Sequence, residues 1–107
     1  MTEKKGIPKT YLRFKEKYPD VARYYEGLGD ALNRAGPLDE KTVRLVKLAL
    51  AIGAKSEGGV HSAVRKGLAA GLTPDEMRQV ALLAITTIGF SSAMAAYVWI
   101  EDIVGSE

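Results

Sequence analysis

Apolar side chains recur along this chain at intervals of three and four residues. No stretch alternates apolar and polar residues between hairpin turns, so the pattern predicts helices throughout and an all-α fold. Pro8 opens a short first helix carrying Tyr11, Leu12, Phe14 and Tyr18. Pro19 stands at the first position of a second, where Val21, Tyr24, Tyr25, Leu28 and Leu32 share helical spacing before a stop at Gly36-Pro37. A third opens at Leu38-Asp39, with Asp39 as N-cap and Leu38 placed to staple against Val43. After the glycine-rich stretch from Gly53 to Gly59, a fourth runs from Val60 to Leu68 and ends by Gly71. Thr73-Pro74-Asp75-Glu76 predicts a capping box with proline at the first position, starting a fifth helix that reaches about Ile88. The last helix is expected to start with Ser91 as its cap and to end before Gly105.

Two stretches raise the question of what covers them. From Val43 to Ala54 the third helix is apolar on nearly every face, leaving one stripe through Arg44, Lys47, Ala51 and Lys55 that reads as a solvated edge. A chain this short hides only about 65% of the surface its unfolded form exposes, too little to enclose such a helix alone. Further copies of the chain are the expected cover, which makes the fold an obligate oligomer. From Val80 to Ile100 no residue is charged, a run long enough to span a bilayer. Thr86, Thr87, Gly89, Ser91 and Ser92 cluster in its middle, however, so two short helices and no membrane span are expected.

Composition narrows the chemistry. The chain has 107 residues and no cysteine, which fits a single domain and excludes disulfide frameworks, thiolate metal sites and thiol redox chemistry. With one histidine, a His-rich metal site is not expected, and no metal or cofactor is assigned. The net charge of +2 is unevenly spread. Lys4, Lys5, Lys9, Arg13, Lys15 and Lys17 crowd the N-terminal segment, whereas Asp75, Glu76, Glu101, Asp102 and Glu107 dominate the C-terminal part. The basic residues form no nucleic-acid motif, so head-to-tail complementarity within an oligomer, or simple solvation, is the preferred reading. No apolar stretch follows Met1-Thr-Glu-Lys-Lys5, so no signal peptide is expected and the expected compartment is the cytoplasm.

One place carries a pattern suited to catalysis. Glu57, His61 and Arg65 fall at i, i+4 and i+8, along one face of a continuous helix. Histidine ionises nearest neutrality, a neighbouring carboxylate can orient it, and an arginine can hold an anionic substrate. The same spacing also describes an ordinary surface helix laced with ion pairs. Gly58 and Gly59 point to a sharp entry or a close backbone approach at the helix start.

Several stretches together are similar to the carboxymuconolactone decarboxylase family, an AhpD-like superfamily that includes the alkylhydroperoxidase AhpD. They are Leu38-Asp-Glu-Lys-Thr42, Leu45-Val-Lys-Leu-Ala-Leu-Ala-Ile52, Ser56-Glu-Gly-Gly-Val-His61, Ala69-Ala-Gly-Leu-Thr-Pro-Asp-Glu76 and Ile88-Gly-Phe-Ser-Ser-Ala-Met94. The likeness covers 38–105 as a family core, with 1–37 as an N-terminal helical extension of the same single domain. It implies an all-helical domain of about five to six helices that assembles as a homotrimer or homohexamer. The AhpD branch works through a glutamate, a Cys-x-x-Cys pair and a histidine, and these positions fall here on Arg44, Ser56, Gly59 and Ala63. All four functional groups are absent, and without a thiolate there is no thiol peroxidase.

The decarboxylase branch carries a carboxylate and a histidine four residues apart, as Glu57 and His61 are here. That resemblance implies an acid–base decarboxylase or lactone-processing enzyme acting on a small carboxylate. In it His61 moves the proton, Glu57 fixes its tautomer, Arg65 or Lys55 grips the substrate carboxylate, and Ser56 adds a hydrogen bond. A non-catalytic oligomeric scaffold of the same fold is the other reading. The oligomer itself is testable by sedimentation velocity at micromolar concentration: trimers or hexamers are expected, and a folded monomer contradicts the burial reasoning.

Overall fold

Two prolines, a serine, a threonine and a glycine mark where five of the six helices begin. In the computed structural model, which describes residues 7–105, six helices occur and no strand is present among those residues. They are α1 (Lys9–Lys17), α2 (Pro19–Asn33), α3 (Glu40–Gly53), α4 (Glu57–Ala69), α5 (Pro74–Ile88) and α6 (Phe90–Val104). Lys4, Lys5 and Glu107, and the segment on which the signal-peptide reading rests, lie outside the described residues.

The helix starts follow the local chemistry closely. Pro8 precedes α1 and Pro19 is the first residue of α2. At α5 the expected capping box is complete: Glu76 N–H donates to Thr73 Oγ1 at 3.1 Å, and Thr73 N–H donates to Glu76 Oε1 at 2.8 Å. Three boundaries differ from expectation. The second helix ends at Asn33, before Gly36-Pro37, because the Arg34 N–H already bonds the carbonyls of Asp30 and Ala31 and closes the last turn. The fourth starts at Glu57 rather than Val60, because Ser56 caps it. The cap of the last helix is Gly89 and not Ser91. Gly89 takes φ 98° and ψ 155°, a conformation open essentially to glycine alone, and its carbonyl accepts from the Ala93 N–H, so α6 begins at Phe90.

Gly89 thereby divides the uncharged run from Val80 to Ile100 between α5 and α6. Among the described residues, no helix is long and apolar enough to cross a membrane.

The chain divides between Asp39 and Glu40 into two compact units. In the first, α1 and α2 are tied by Glu26, which accepts from the Tyr11 hydroxyl at 2.6 Å and pairs with Lys15 Nζ at 3.1 Å. The carboxylate favours the neutral phenol and raises the Tyr11 pKa above the usual tyrosine value. Phe14 stacks on Tyr11 and packs at a tilt against Tyr18. Val21, Tyr24, Tyr25, Leu28 and Leu32 of α2 are all more than half exposed.

The second unit holds the main core. Leu48 and Ile52 from α3, Val60 and Val64 from α4, Met77 and Ala81 from α5, and Ala96, Ile100, Ile103 and Val104 from α6 are buried together with Leu72. Each fully enclosed Leu, Val, Met or Ile contributes about 1.5–3 kcal/mol over its exposed state. Small residues let the helices close up: a Cβ at Gly67 would stand 3.0 Å from both Leu72 Cδ1 and Met77 Sδ. Within this unit α3 is covered on one side only. Leu48 and Ile52 are enclosed, whereas Val46 and Leu50 remain 42% and 64% exposed. The Arg44–Lys55 stripe is not a uniform solvated edge either, since Arg44 and Ala51 are partly covered while Lys47 and Lys55 are exposed.

Replacing Thr73 by Ala removes one half of the capping box without touching the core. Urea unfolding should show a loss of about 1 kcal/mol with an unchanged m-value.

Candidate functional site

The site begins with the turn between α3 and α4. Lys55 has φ 57°, the only positive value at a non-glycine position among the described residues. That left-handed residue reverses the chain so that Ser56, with extended φ −103° and ψ 105°, sits as N-cap and accepts from the Gly59 N–H at 3.0 Å. Gly59 permits the tight entry: a Cβ there would lie 2.8 Å from Ser56 Oγ and 3.4 Å from Ala51 Cβ. Gly58, by contrast, faces open space. The close approach anticipated from the glycine pair therefore belongs to Gly59 alone.

With the helix started at Glu57, the residues Glu57, His61 and Arg65 lie on one continuous helix, as their spacing predicts. Glu57 occupies the first turn, where its charge suits the helix N-terminus. His61 is directed at α6. Its Nε2 lies 2.9 Å from Asp102 Oδ2, with the two side chains 18% and 22% exposed. An ionised carboxylate only accepts, so the bond requires Nε2–H as donor and leaves the lone pair of the neutral ring on Nδ1. The hydrogen-bond partner of the ring is therefore Asp102, while Glu57 stands alongside. One ligand atom each from Glu57, His61 and Asp102 lie within 4.8 Å of one another.

Arg65, one turn beyond His61, is half-buried. Among the described residues no ion pair or hydrogen bond engages it, and burial lowers its pKa below the usual arginine value. Of the other two predicted site residues, Ser56 has its oxygen engaged as the helix cap and Lys55 is exposed on the turn just before it.

The sequence neighbour of Asp102 is tied to a different helix. Adjacent helix residues point about 100° apart, so Glu101 and Asp102 can address two different helices. Glu101 takes Arg78 of α5, through Arg78 Nε to Oε2 at 2.6 Å and Nη2 to Oε1 at 3.3 Å. Arg78 also donates to Asp75 at 2.9 Å. The Glu101 hydrogen bonds, followed by that of Asp75, raise the Arg78 pKa above the ordinary arginine value. With Glu76 held in the capping box, four of the C-terminal acidic residues are thus engaged inside this unit, which leaves fewer for head-to-tail pairing. Spacing along the chain does not point to Asp102, 41 residues from His61. The available signal is that Glu101 and Asp102 are the only charged residues of an otherwise uncharged helix.

Comparison with known families places these residues in context. The sequence pattern of the carboxymuconolactone decarboxylase family matches residues 19–102. The match takes in α2 and every residue from Lys55 to Asp102 discussed above. No curated protein and no solved structure matches the chain significantly.

The Nε2–H assignment is open to measurement because His61 is the single histidine of the chain. In the neutral ring, nitrogen-15 shifts should show the proton on Nε2, and Asp102→Ala should move them toward tautomer averaging. Identical spectra would remove Asp102 as the partner.

Proposed function

The chain belongs to the carboxymuconolactone decarboxylase family, and from that premise we propose that it is an acid–base, non-redox enzyme that decarboxylates or otherwise processes a lactone or similar small carboxylate. The observation that carries this reading is the 2.9 Å contact between His61 Nε2 and Asp102 Oδ2 in a partly covered site. Loss of carbon dioxide breaks a carbon–carbon bond and leaves its electron pair on the remaining fragment, delocalised into a neighbouring carbonyl. A proton must then reach carbon. His61 supplies it from Nδ1 when the ring is doubly protonated, and the neutral ring accepts a proton at the same nitrogen. Asp102 keeps the ring oriented and stabilises the imidazolium, as a carboxylate behind a catalytic histidine does.

Arg65 is the carboxylate holder in this proposal. It is partly desolvated and lacks an internal partner, so an incoming carboxylate meets a cation that need not break an existing ion pair. Lys55, on the turn before α4, is a second cation for a larger anion, and the Ser56 hydroxyl retains a proton to donate. Glu57 adds a second carboxylate within 4.8 Å of the ring and of Asp102. With no cysteine in the sequence, a thiol peroxidase has no nucleophile. We further propose that the chain works as a homotrimer or homohexamer. The exposed Val46, Leu50, Leu82, Leu83, Phe90 and Val98 support this, as an apolar surface that suits further copies of the chain.

A second reading rests on the same contact: a half-buried His–Asp bond also ties α4 to α6 in a scaffold with no turnover. Carbon dioxide release from small lactones and dicarboxylates separates the two. His61→Gln should abolish turnover while leaving sedimentation and thermal unfolding nearly unchanged. Arg65→Gln should raise KM by about tenfold with a smaller change in kcat. Full turnover in His61→Gln would sink the enzymatic reading, and lost stability with no turnover in any chain would favour the scaffold.

A further inference from the structure

Two carboxylates converge on the one imidazole of this protein, and no lysine or arginine forms an ion pair with either of them among the described residues. Arg78 is occupied by Glu101 and Asp75, so among the described residues only His61 pairs with Asp102, and Glu57 forms no ion pair. We propose that Glu57, His61 and Asp102 form a binding site for a first-row divalent cation of the zinc type. This proposal does not depend on the decarboxylase reading.

The chemistry of the donor set selects the ion. One nitrogen and two carboxylate oxygens suit zinc, iron, cobalt or manganese better than magnesium, which favours oxygen ligands alone. Two negative charges offset the charge of the ion, and three protein ligands leave a position open for water or a substrate oxygen. The geometry is compatible. Neighbouring ligands at about 2.0–2.2 Å from one tetrahedral ion stand roughly 3.4 Å apart, so His61 Nε2 and Asp102 Oδ2, now 2.9 Å apart, need to part by about half an ångström. Glu57 needs the larger adjustment to close the remaining gap within 4.8 Å, and it is the exposed residue of the three. No hydrogen bond among the described residues holds its carboxylate back.

Helix packing supplies the rigidity. Glu57 and His61 come from one face of α4, while Asp102 stands on α6 next to Glu101, which Arg78 ties to α5. Binding at Nε2 shifts the single proton of the neutral ring to Nδ1 with no net release, whereas a doubly protonated ring gives up its Nε2 proton to solvent and keeps the one on Nδ1. A metal-bound His61 is therefore no longer a base, and cation occupancy and proton transfer through His61 exclude each other. In the enzymatic reading zinc acts as an inhibitor of this site.

The test is calorimetric titration of the full, tag-free chain with zinc and, separately, with magnesium, alongside the ring resonances of His61. Zinc should bind one site per chain, shift or broaden the His61 signals, and bind at least about tenfold more tightly than magnesium. Glu57→Gln and Asp102→Asn should each weaken zinc by about tenfold or more, and His61→Gln should remove the preference for zinc over magnesium. Should Asp102→Asn unfold, Glu57→Gln still decides, because it alters an exposed side chain outside the core. No zinc binding at millimolar concentration, equal binding of magnesium, or zinc affinity unchanged in Glu57→Gln or His61→Gln overturns the proposal. Since heat and ring signals are read rather than turnover, either result leaves the acid–base reading to its own experiment.

Discussion

Ile100, Ile103 and Val104 are buried in the core, while Glu101 and Asp102, between them in sequence, reach sideways to Arg78 of α5 and His61 of α4. This last stretch of α6 is held by apolar burial underneath and by two charged side chains at the flanks. The candidate site depends on that arrangement, since neither Glu57 nor Arg65 holds the histidine by a hydrogen bond of its own. Partial exposure also matters here. At about one-fifth exposure the His61–Asp102 pair is screened less than a surface ion pair and remains within reach of a small solute.

The start of α4 illustrates how backbone chemistry serves the same end. Lys55 takes a left-handed conformation, Ser56 caps, and Gly59 leaves room for the cap and for Ala51. Together they start the helix at Glu57, and that start sets which residues share a face with His61. A start at Val60 would leave Glu57 in the turn, with no defined relation to the ring. The strain at Lys55, of the order of 1–2 kcal/mol, is offset by the burial of Val60 and Val64 that this entry allows.

Apolar surface remains outside both units. In α3 and α5, Leu50, Leu82 and Leu83 are each more than half exposed, and in α2 the same holds for Val21, Leu28 and Leu32. This exposed apolar surface is the observation on which the proposed assembly with further copies of the chain rests.

Helix identity was legible from local rules because each start uses residues adjacent in sequence: Pro19, Thr73 with Glu76, and the Gly89 break. Where those rules erred, as with Ser91, a glycine conformation acting over one residue outweighed a side-chain cap. The Glu57–His61–Arg65 face was legible too, since helical periodicity alone determines it. Asp102 was not. Its place beside His61 follows from the packing of α4 on α6, a long-range contact made by burying Val64, Ile100 and their neighbours, and no spacing along the chain encodes such a contact. Sequence by itself determined the helices, the lack of thiol chemistry and one half of the site. Tertiary structure decided which carboxylate faces the histidine, because hydrophobic burial between distant helices chooses their register and local propensity does not.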